Sequence, residues 1–240
     1  MKSICIIPIY NEYNKLNKLL SRIKKYNHKK LNLTYLAINN GSTDGSLNLI
    51  KKSKIKYINL KKNYGVGYAL MVGYQYAKKE AFDCVVHLAG NGKMNPAQIK
   101  YFLVKIYKEK YDFVSGSRFL KNGFYSNNPI YRIFLIKIFS LIVSFLFQKK
   151  ITDCSCGFRA FRVNLFKNFR KNFFKKNLFT YGYEYYSYGA ILKQPEIKFL
   201  EVPVSMDYQD KKDYTKMRPF IDWFVMSKYW IKSFFFKNKL

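Results

Sequence analysis

Acidic residues are scarce in this 240-residue chain: 14 Asp and Glu stand against 44 Lys and Arg, a formal net charge of +30. Such an imbalance favours an anionic partner (a membrane surface, a phosphate-bearing substrate or nucleic acid) and selects none of them by itself. Cysteine is nearly as rare. Cys5, Cys84, Cys154 and Cys156 are too few and too unevenly spaced for a disulfide framework. Cys154-Ser-Cys156 also lacks the second pair and the histidines of a zinc site. Reduced thiols in a cytoplasmic protein are therefore expected, with Cys5 and Cys84 as small core residues in apolar strands. The two histidines, His28 in a basic turn and His87 in a strand pattern, belong to no Ser-His-Asp or Cys-His arrangement. No segment reaches the roughly 18 apolar residues of a transmembrane helix; residues 133–147 come nearest but carry Lys137. Met1-Lys2-Ser3 runs straight into a strand pattern and is read as leaving no room for a signal peptide. Internal repeats and Gly/Ser linkers are missing, so one domain is expected.

What is present is a folding sequence. With 49% hydrophobic and 24% charged residues the chain is not disordered, and its length suits one sizeable α/β domain. Residues 3–9 form a short apolar run that reads as a buried parallel strand. Residues 14–25 place Leu16, Leu19, Leu20 and Ile23 on one helical face. Strand patterns recur at 33–39, 54–60, 82–88 and 112–115, alternating with helical patterns through Met71 and Ala77 and over 96–107. This spacing predicts a mostly parallel sheet with both faces covered. After Arg118 aromatic and basic residues interleave, helical patterns lengthen, and strand signals thin out until 196–204.

Residues 85–96, V-V-H-L-A-G-N-G-K-M-N-P, run from an apolar strand into a glycine-flanked turn, with Asn95 as an N-cap and Pro96 as a first helical residue. Strand ends of this kind are where open α/β sheets bind ligands. The turn holds no carboxylate.

Several pieces in this order resemble glycosyltransferase family 2, in particular the dolichyl- or polyprenyl-phosphate sugar synthases. Ile6-Ile7-Pro8-Ile9-Tyr10-Asn11-Glu12 resembles the family's first-strand signature, and Asn40-Gly41-Ser42-Thr43-Asp44 its D-D-G-S-x-D turn. The run from Asn63 to Gly67, with Ala69 and Gly73, resembles N-x-G-x-G-x-A, and Gly116-Ser117-Arg118 resembles G-S-R. Asp153 with Gly157-Phe158-Arg159 resembles D-x-x-x-G-F-R, Glu184 falls in an aromatic-acidic helix, and Val202-Pro203-Val204 precedes a basic motif ending at Lys216. Order and spacing carry the likeness, since each piece alone is weak.

The resemblance implies a GT-A fold: a Rossmann-like, mostly parallel sheet flanked by helices, with a basic, aromatic, helical C-terminal part. It implies a nucleotide-sugar donor held by Pro8, Tyr10, Glu12, Asn39, Asn40, Ser42, Gly65, Gly67, Ala89 and Gly90. It also implies Mg²⁺ or Mn²⁺ on two carboxylates of a D-x-D motif, but those positions are Ala89 and Asn91 here. Asn39 and Asn40 likewise replace the two acids of the earlier turn. Amide and methyl groups are poor ligands for a hard divalent cation, so no metal site is expected.

Two functions follow. In one the chain is a transferase in which Lys93, where the family often has Gln, neutralises a leaving phosphate. In the other it is a catalytically inactive relative that binds a nucleotide, a lipid or a partner. Survival of the acceptor-side residues favours the enzyme. Arg118, Arg132 and Lys216 would grip a polyprenyl phosphate, which needs no strong base; a glycan hydroxyl would need one, with Asp153 or Glu184 the candidates. Only the terminal hydroxyl-Lys pair survives of the final R-x-x-G-x-S-K motif, with Lys211 and Lys212 nearby.

Residues 130–148 and 219–236 combine large apolar side chains with lysines, and the second, with Trp223 and Trp230, suits an interfacial helix on anionic lipid. The expectation is a transferase domain over 1–218 and an amphipathic helix over 219–240, peripheral on the cytoplasmic face of the cell membrane and serving cell-envelope glycan synthesis. Packing on the core, on a second copy or on a partner membrane protein is the alternative. No helix-turn-helix, zinc-finger or RNA-recognition signature accompanies the charge, so nucleic acid ranks last.

Overall fold

The structure, a computed structural model, describes residues 1–26, 31–127, 129–166, 178–208, 218 and 221–235. Its first half alternates strand and helix as the sequence predicts: β1 (Ser3–Ile9), α1 (Tyr13–Lys25), β2 (Leu33–Asn40), α2 (Ser46–Ser53), β3 (Lys56–Leu60), α3 (Val66–Lys79) and β4 (Cys84–His87). A 3₁₀ turn over Pro96–Gln98 leads into α4 (Ile99–Tyr107) and β5 (Phe113–Ser117). Then come β6 (Phe124–Tyr125), α5 (Ile130–Phe147), β7 (Arg159–Arg162), α6 (Gly182–Leu192), β8 (Phe199–Pro203), β9 (Ser205–Met206) and α7 (Ile221–Phe234).

Seven strands form one sheet in the order β3-β2-β1-β4-β7-β5-β8, in which β7 alone runs antiparallel. Strands β6 and β7 lie between Arg118 and residue 196, where the sequence reading finds strand signals thinning out, and β7 joins the main sheet. The β7 sequence is only Arg-Ala-Phe-Arg, with a charge at each end. Glu184 and Asp112 accept those arginines at 2.8 and 3.4 Å, which makes the charges tolerable in the sheet.

Side-chain alternation splits the core into two layers. Ile4 and Ile6 of β1 pack with Leu36 and Ile38 of β2 against α3, α6 and α7. Cys5, Ile7 and Ile9 face α1, α2 and α4. Burial on both faces is why these strands read as unbroken apolar runs. All four cysteines are buried and unpaired.

Helix α5 corrects the expectation that no segment reaches membrane-spanning length: it starts directly after Pro129, ahead of the 133–147 run, and takes Lys137 within it. Its 18 residues are long and apolar enough to cross a membrane, by length and composition. Arg132, Ile136, Ser140, Val143 and Phe147 face inward, whereas Phe134, Leu141 and Phe145 are 63, 75 and 76% exposed. The opposite holds for part of α7. Trp230, expected as an interfacial anchor, is fully buried against Tyr188 at 4.7 Å between ring centroids. Tyr229 packs directly over Gly182, which brings α6 and α7 into close contact.

Candidate active site

The carboxyl ends of β1, β2 and β4 open into a cleft of about 460 Å³. Pro8, Tyr10 and Glu12 enter it from the β1 end, Asn40 from β2, and Ala89, Gly90, Asn91 and Lys93 from the turn after β4. Arg118, Arg132, Ser155, Glu184 and Tyr208 come from the C-terminal half, as do Arg218 and Asp222. Ligand placement outside strand carboxyl ends is the general rule for open α/β sheets.

Gly65, at φ +96°, lines the cleft and turns the chain into α3 beneath Phe179. The turn after β4 is fixed from three sides. Asn91 Oδ1 accepts from Lys93 N at 3.3 Å, Arg22 Nη1 donates to Gly92 O at 2.8 Å, and Asp207 N donates to Lys93 O at 3.1 Å. Asn95 caps the following turn, accepting from Ala97 N at 3.1 Å, with Pro96 in the first turn as the sequence predicts.

Arg118 is the most constrained cation of the cleft. Its Nε and Nη2 donate to Asp153 at 2.7 and 2.8 Å, Nη2 also to Ser155 Oγ at 2.7 Å, and Nη1 to the Tyr208 hydroxyl at 2.6 Å. Burial opposes both charges of the pair. The Arg118 guanidinium nevertheless holds the Asp153 carboxyl below its usual range, and Asp153 keeps Arg118 protonated. Arg159 pairs with Glu184 at 2.8 Å and stacks over the Tyr188 ring at 4.1 Å. Burial first, and Arg159 second, push His87 down to about 3, so it is a neutral imidazole bonded to the Tyr74 hydroxyl.

Four residues assigned to the site by sequence stand outside the cleft wall. Asn39 alternates to the other face of β2 from Asn40 and donates to Asn59 Oδ1 at 2.6 Å. Ser42 Oγ accepts from Asn11 N at 3.1 Å and so ties two loops together. Gly67 lies against the backbone of Leu178 and Thr180. Asp153 is fully buried behind Arg118, with which it is ion-paired, and does not line the cleft. Asn40 does line the cleft, but its Nδ2 donates to Asn63 Oδ1 and its Oδ1 accepts from Tyr64 N, at 2.9 and 3.1 Å. Lys211, Lys212 and Lys216 lie outside the described residues, as does His28.

Sequence reasoning missed Tyr208, Ser155 and Glu201. Glu201 accepts from Thr152 N, Thr152 Oγ1 and Asp153 N, at 2.7, 2.5 and 3.1 Å, and so holds the loop that carries Asp153 and Ser155. Its signal was present: Glu201 is the lone acid in the strand before Val202-Pro203-Val204.

Residues 4–170 match the family model described as Glycosyl transferase family 2. The chain belongs to this glycosyltransferase family. Among its relatives are the polyprenol monophosphomannose synthase of Mycolicibacterium smegmatis, 25% identical over 167 residues, and the dolichol-phosphate mannosyltransferase of Pyrococcus furiosus, 30% identical over 179. These matches cover 67 and 72% of this chain but only 62 and 49% of those proteins. In structure, the family-2 chain is similar to glucosyl-3-phosphoglycerate synthase from Mycobacterium tuberculosis, solved with Mn²⁺, uridine diphosphate and phosphoglyceric acid. The TM-score is 0.66 at 14% identity, over 97% of this chain and 76% of that one. Staphylococcus aureus TarS is also similar, with a TM-score of 0.61 at 17% identity, over 85 and 59%. The fold is GT-A, as the resemblance implied.

The Mn²⁺ named with the M. tuberculosis enzyme does not suit the donor set found here. Positions 89, 91 and 93 of this family-2 glycosyltransferase offer a methyl group, a neutral amide and an ammonium. Of the cleft's three acids among the described residues, Glu184 is engaged by Arg159 and Asp222 by Arg218 at 3.2 Å, while Glu12 stands at the β1 end. Among the described residues no three His, Cys, Asp or Glu side chains cluster as metal ligands.

Proposed function

We propose that this glycosyltransferase moves a sugar from a nucleotide-sugar to the phosphate of a polyprenyl lipid at a membrane surface. The observation that carries the reading is that Arg118 and Arg132 share one cleft with the carboxyl ends of β1 and β4. Relatives named for polyprenol and dolichol phosphate support the acceptor class. On this reading Pro8, Tyr10, Glu12 and Asn40 border the nucleoside, and Arg118 and Arg132 hold the acceptor phosphate.

The acceptor phosphate is already an anion. Its oxygen attacks the anomeric carbon, an O–C bond forms, the C–O bond to the donor phosphate breaks, and no general base is required. The engagement of both Asp153 and Glu184 by arginine suits a reaction without a carboxylate base. Residues 1–218 form the transferase unit in this proposal and 219–240, which include α7, the segment attached to it. The protein sits on the cytoplasmic face as a peripheral protein, with the apolar outer side of α5 toward lipid.

The test incubates the purified chain with radiolabelled nucleotide-sugars and undecaprenyl phosphate in detergent micelles, followed by solvent extraction. Label entering the organic phase with at least one donor is expected. Label that stays in the nucleotide with every donor retires the proposal in favour of a glycan acceptor or a binding-only relative.

A further inference from the structure

Lys93, expected from the sequence to neutralise a leaving phosphate, lines the cleft. Its backbone is held at both ends, by Asn91 through its N–H and by Asp207 through its carbonyl, while Met94 bridges to Met206. The side chain is thereby aimed into the cleft, where its ammonium lies 5.3 Å from the centroid of the Tyr208 ring. Tyr208 in turn accepts from Arg118. Among the described residues the Lys93 ammonium has no hydrogen-bond or ion-pair partner. Burial pushes its pKa down; Tyr208 pulls it up by less, and the like charges of Arg118 and then Arg132 add smaller downward effects. Lys93 is half-buried in the cleft wall, and an ammonium partly withdrawn from water without a counter-ion gains from an anionic ligand.

Resting on the transferase reading of this cleft, we infer that Lys93 is the counter-ion of the donor's phosphates and that the donor is held without a divalent metal. Three features support it together. The turn bearing Lys93 carries no carboxylate; of the cleft's three acids among the described residues Glu184 and Asp222 are taken by arginines, and Glu12 stands at the β1 end; and the Lys93 backbone is held on both sides while its side chain lines the cleft. A point charge of this kind binds a phosphate oxygen directly, with no coordination sphere to assemble. On sugar transfer it neutralises the charge that develops on the leaving phosphate.

The experiment is calorimetric titration of the purified chain with uridine diphosphate and with guanosine diphosphate, each in EDTA and in Mn²⁺. At least one nucleotide should bind in EDTA with an affinity that Mn²⁺ leaves unchanged. Lys93→Gln should weaken that binding by about tenfold or more, as expected for loss of a charged contact, and Lys93→Arg should retain most of it. The triple variant Ala89→Asp/Asn91→Asp/Lys93→Gln should bind only with Mn²⁺. Wild-type binding that requires Mn²⁺ overturns the inference and leaves the transferase reading intact. So does unchanged affinity in a Lys93→Gln variant whose circular dichroism is native. Should Lys93→Gln fail to fold, the wild-type EDTA comparison and Lys93→Arg still decide. Absence of binding by either nucleotide under both conditions overturns the inference and the transferase reading together.

Discussion

Arg118 and Asp153 face each other through two hydrogen bonds, Nε to Oδ2 at 2.7 Å and Nη2 to Oδ1 at 2.8 Å, with neither side chain more than 2% exposed. Breaking such a pair from one side strands a buried charge. Asp153→Asn is expected to lower unfolding free energy by about 3–5 kcal/mol, read from urea denaturation. Arg118→Lys is expected to be damaging too, because an ammonium cannot reproduce the fork that also reaches Ser155 and Tyr208. Wild-type midpoints for both variants would contradict this.

Glu201 never enters the cleft, yet two backbone N–H groups and a hydroxyl depend on it. Glu201→Ala should cost about 1–3 kcal/mol for the donors left without an acceptor. Because the same loop carries Ser155, transfer activity should fall further than stability explains. Comparing rates at a temperature where the variant is fully folded checks this, and an unchanged rate would limit Glu201 to a structural role.

His87 titrates near 3 in the fold and near 6.5 when unfolded. Its folded value is the lower, so the unfolded chain binds the extra proton and stability rises with pH between the two. From pH 7 to pH 5 this group should remove about 2 kcal/mol. Glu201, raised by burial, has the opposite slope above its ordinary value, so wild type must be compared with His87→Phe. Stability of His87→Phe should fall less than that of wild type over this interval; equal losses would exclude His87 as the source.

A Cβ on Gly67 would lie 2.3 Å from Leu178 O and 2.4 Å from Thr180 O, both backbone atoms. Gly67→Ala is expected to destabilise by about 1–3 kcal/mol and to shift Thr180 and Tyr181 of the cleft wall. Thermal melting and nucleotide titration on one preparation read both effects, and a variant with wild-type behaviour in each would show that the close approach relaxes freely.

Leu141 and Phe145 project from α5 with about three quarters of each exposed. Replacing both with Ser should change stability by no more than about 0.5 kcal/mol. Co-sedimentation with anionic liposomes should nonetheless drop sharply. Wild-type binding should also weaken with salt, since charge assists the apolar contact. Equal sedimentation of wild type and variant would assign membrane contact elsewhere or to no part of α5.

Local chemistry was enough to read much of this molecule. Apolar runs at 3–9 and 82–88, alternating with the amphipathic 14–25, announce a parallel α/β sheet, and Asn95-Pro96 marks a helix start, because these signals depend only on near neighbours. That positions 89 and 91 offer a methyl group and an amide was equally visible, since a ligand's chemistry is written in its residue type. Tertiary structure decided the rest. Strand β7 forms because Glu184 and Asp112, distant in sequence, neutralise its arginines. Trp230 is core because α7 packs on α6, and Phe145 is surface because α5 buries only the side carrying Val143 and Phe147; packing alone chooses the side each helix buries. Asp153, legible as an acid beside a glycine motif, became a support for Arg118 only when the fold brought the two together out of water.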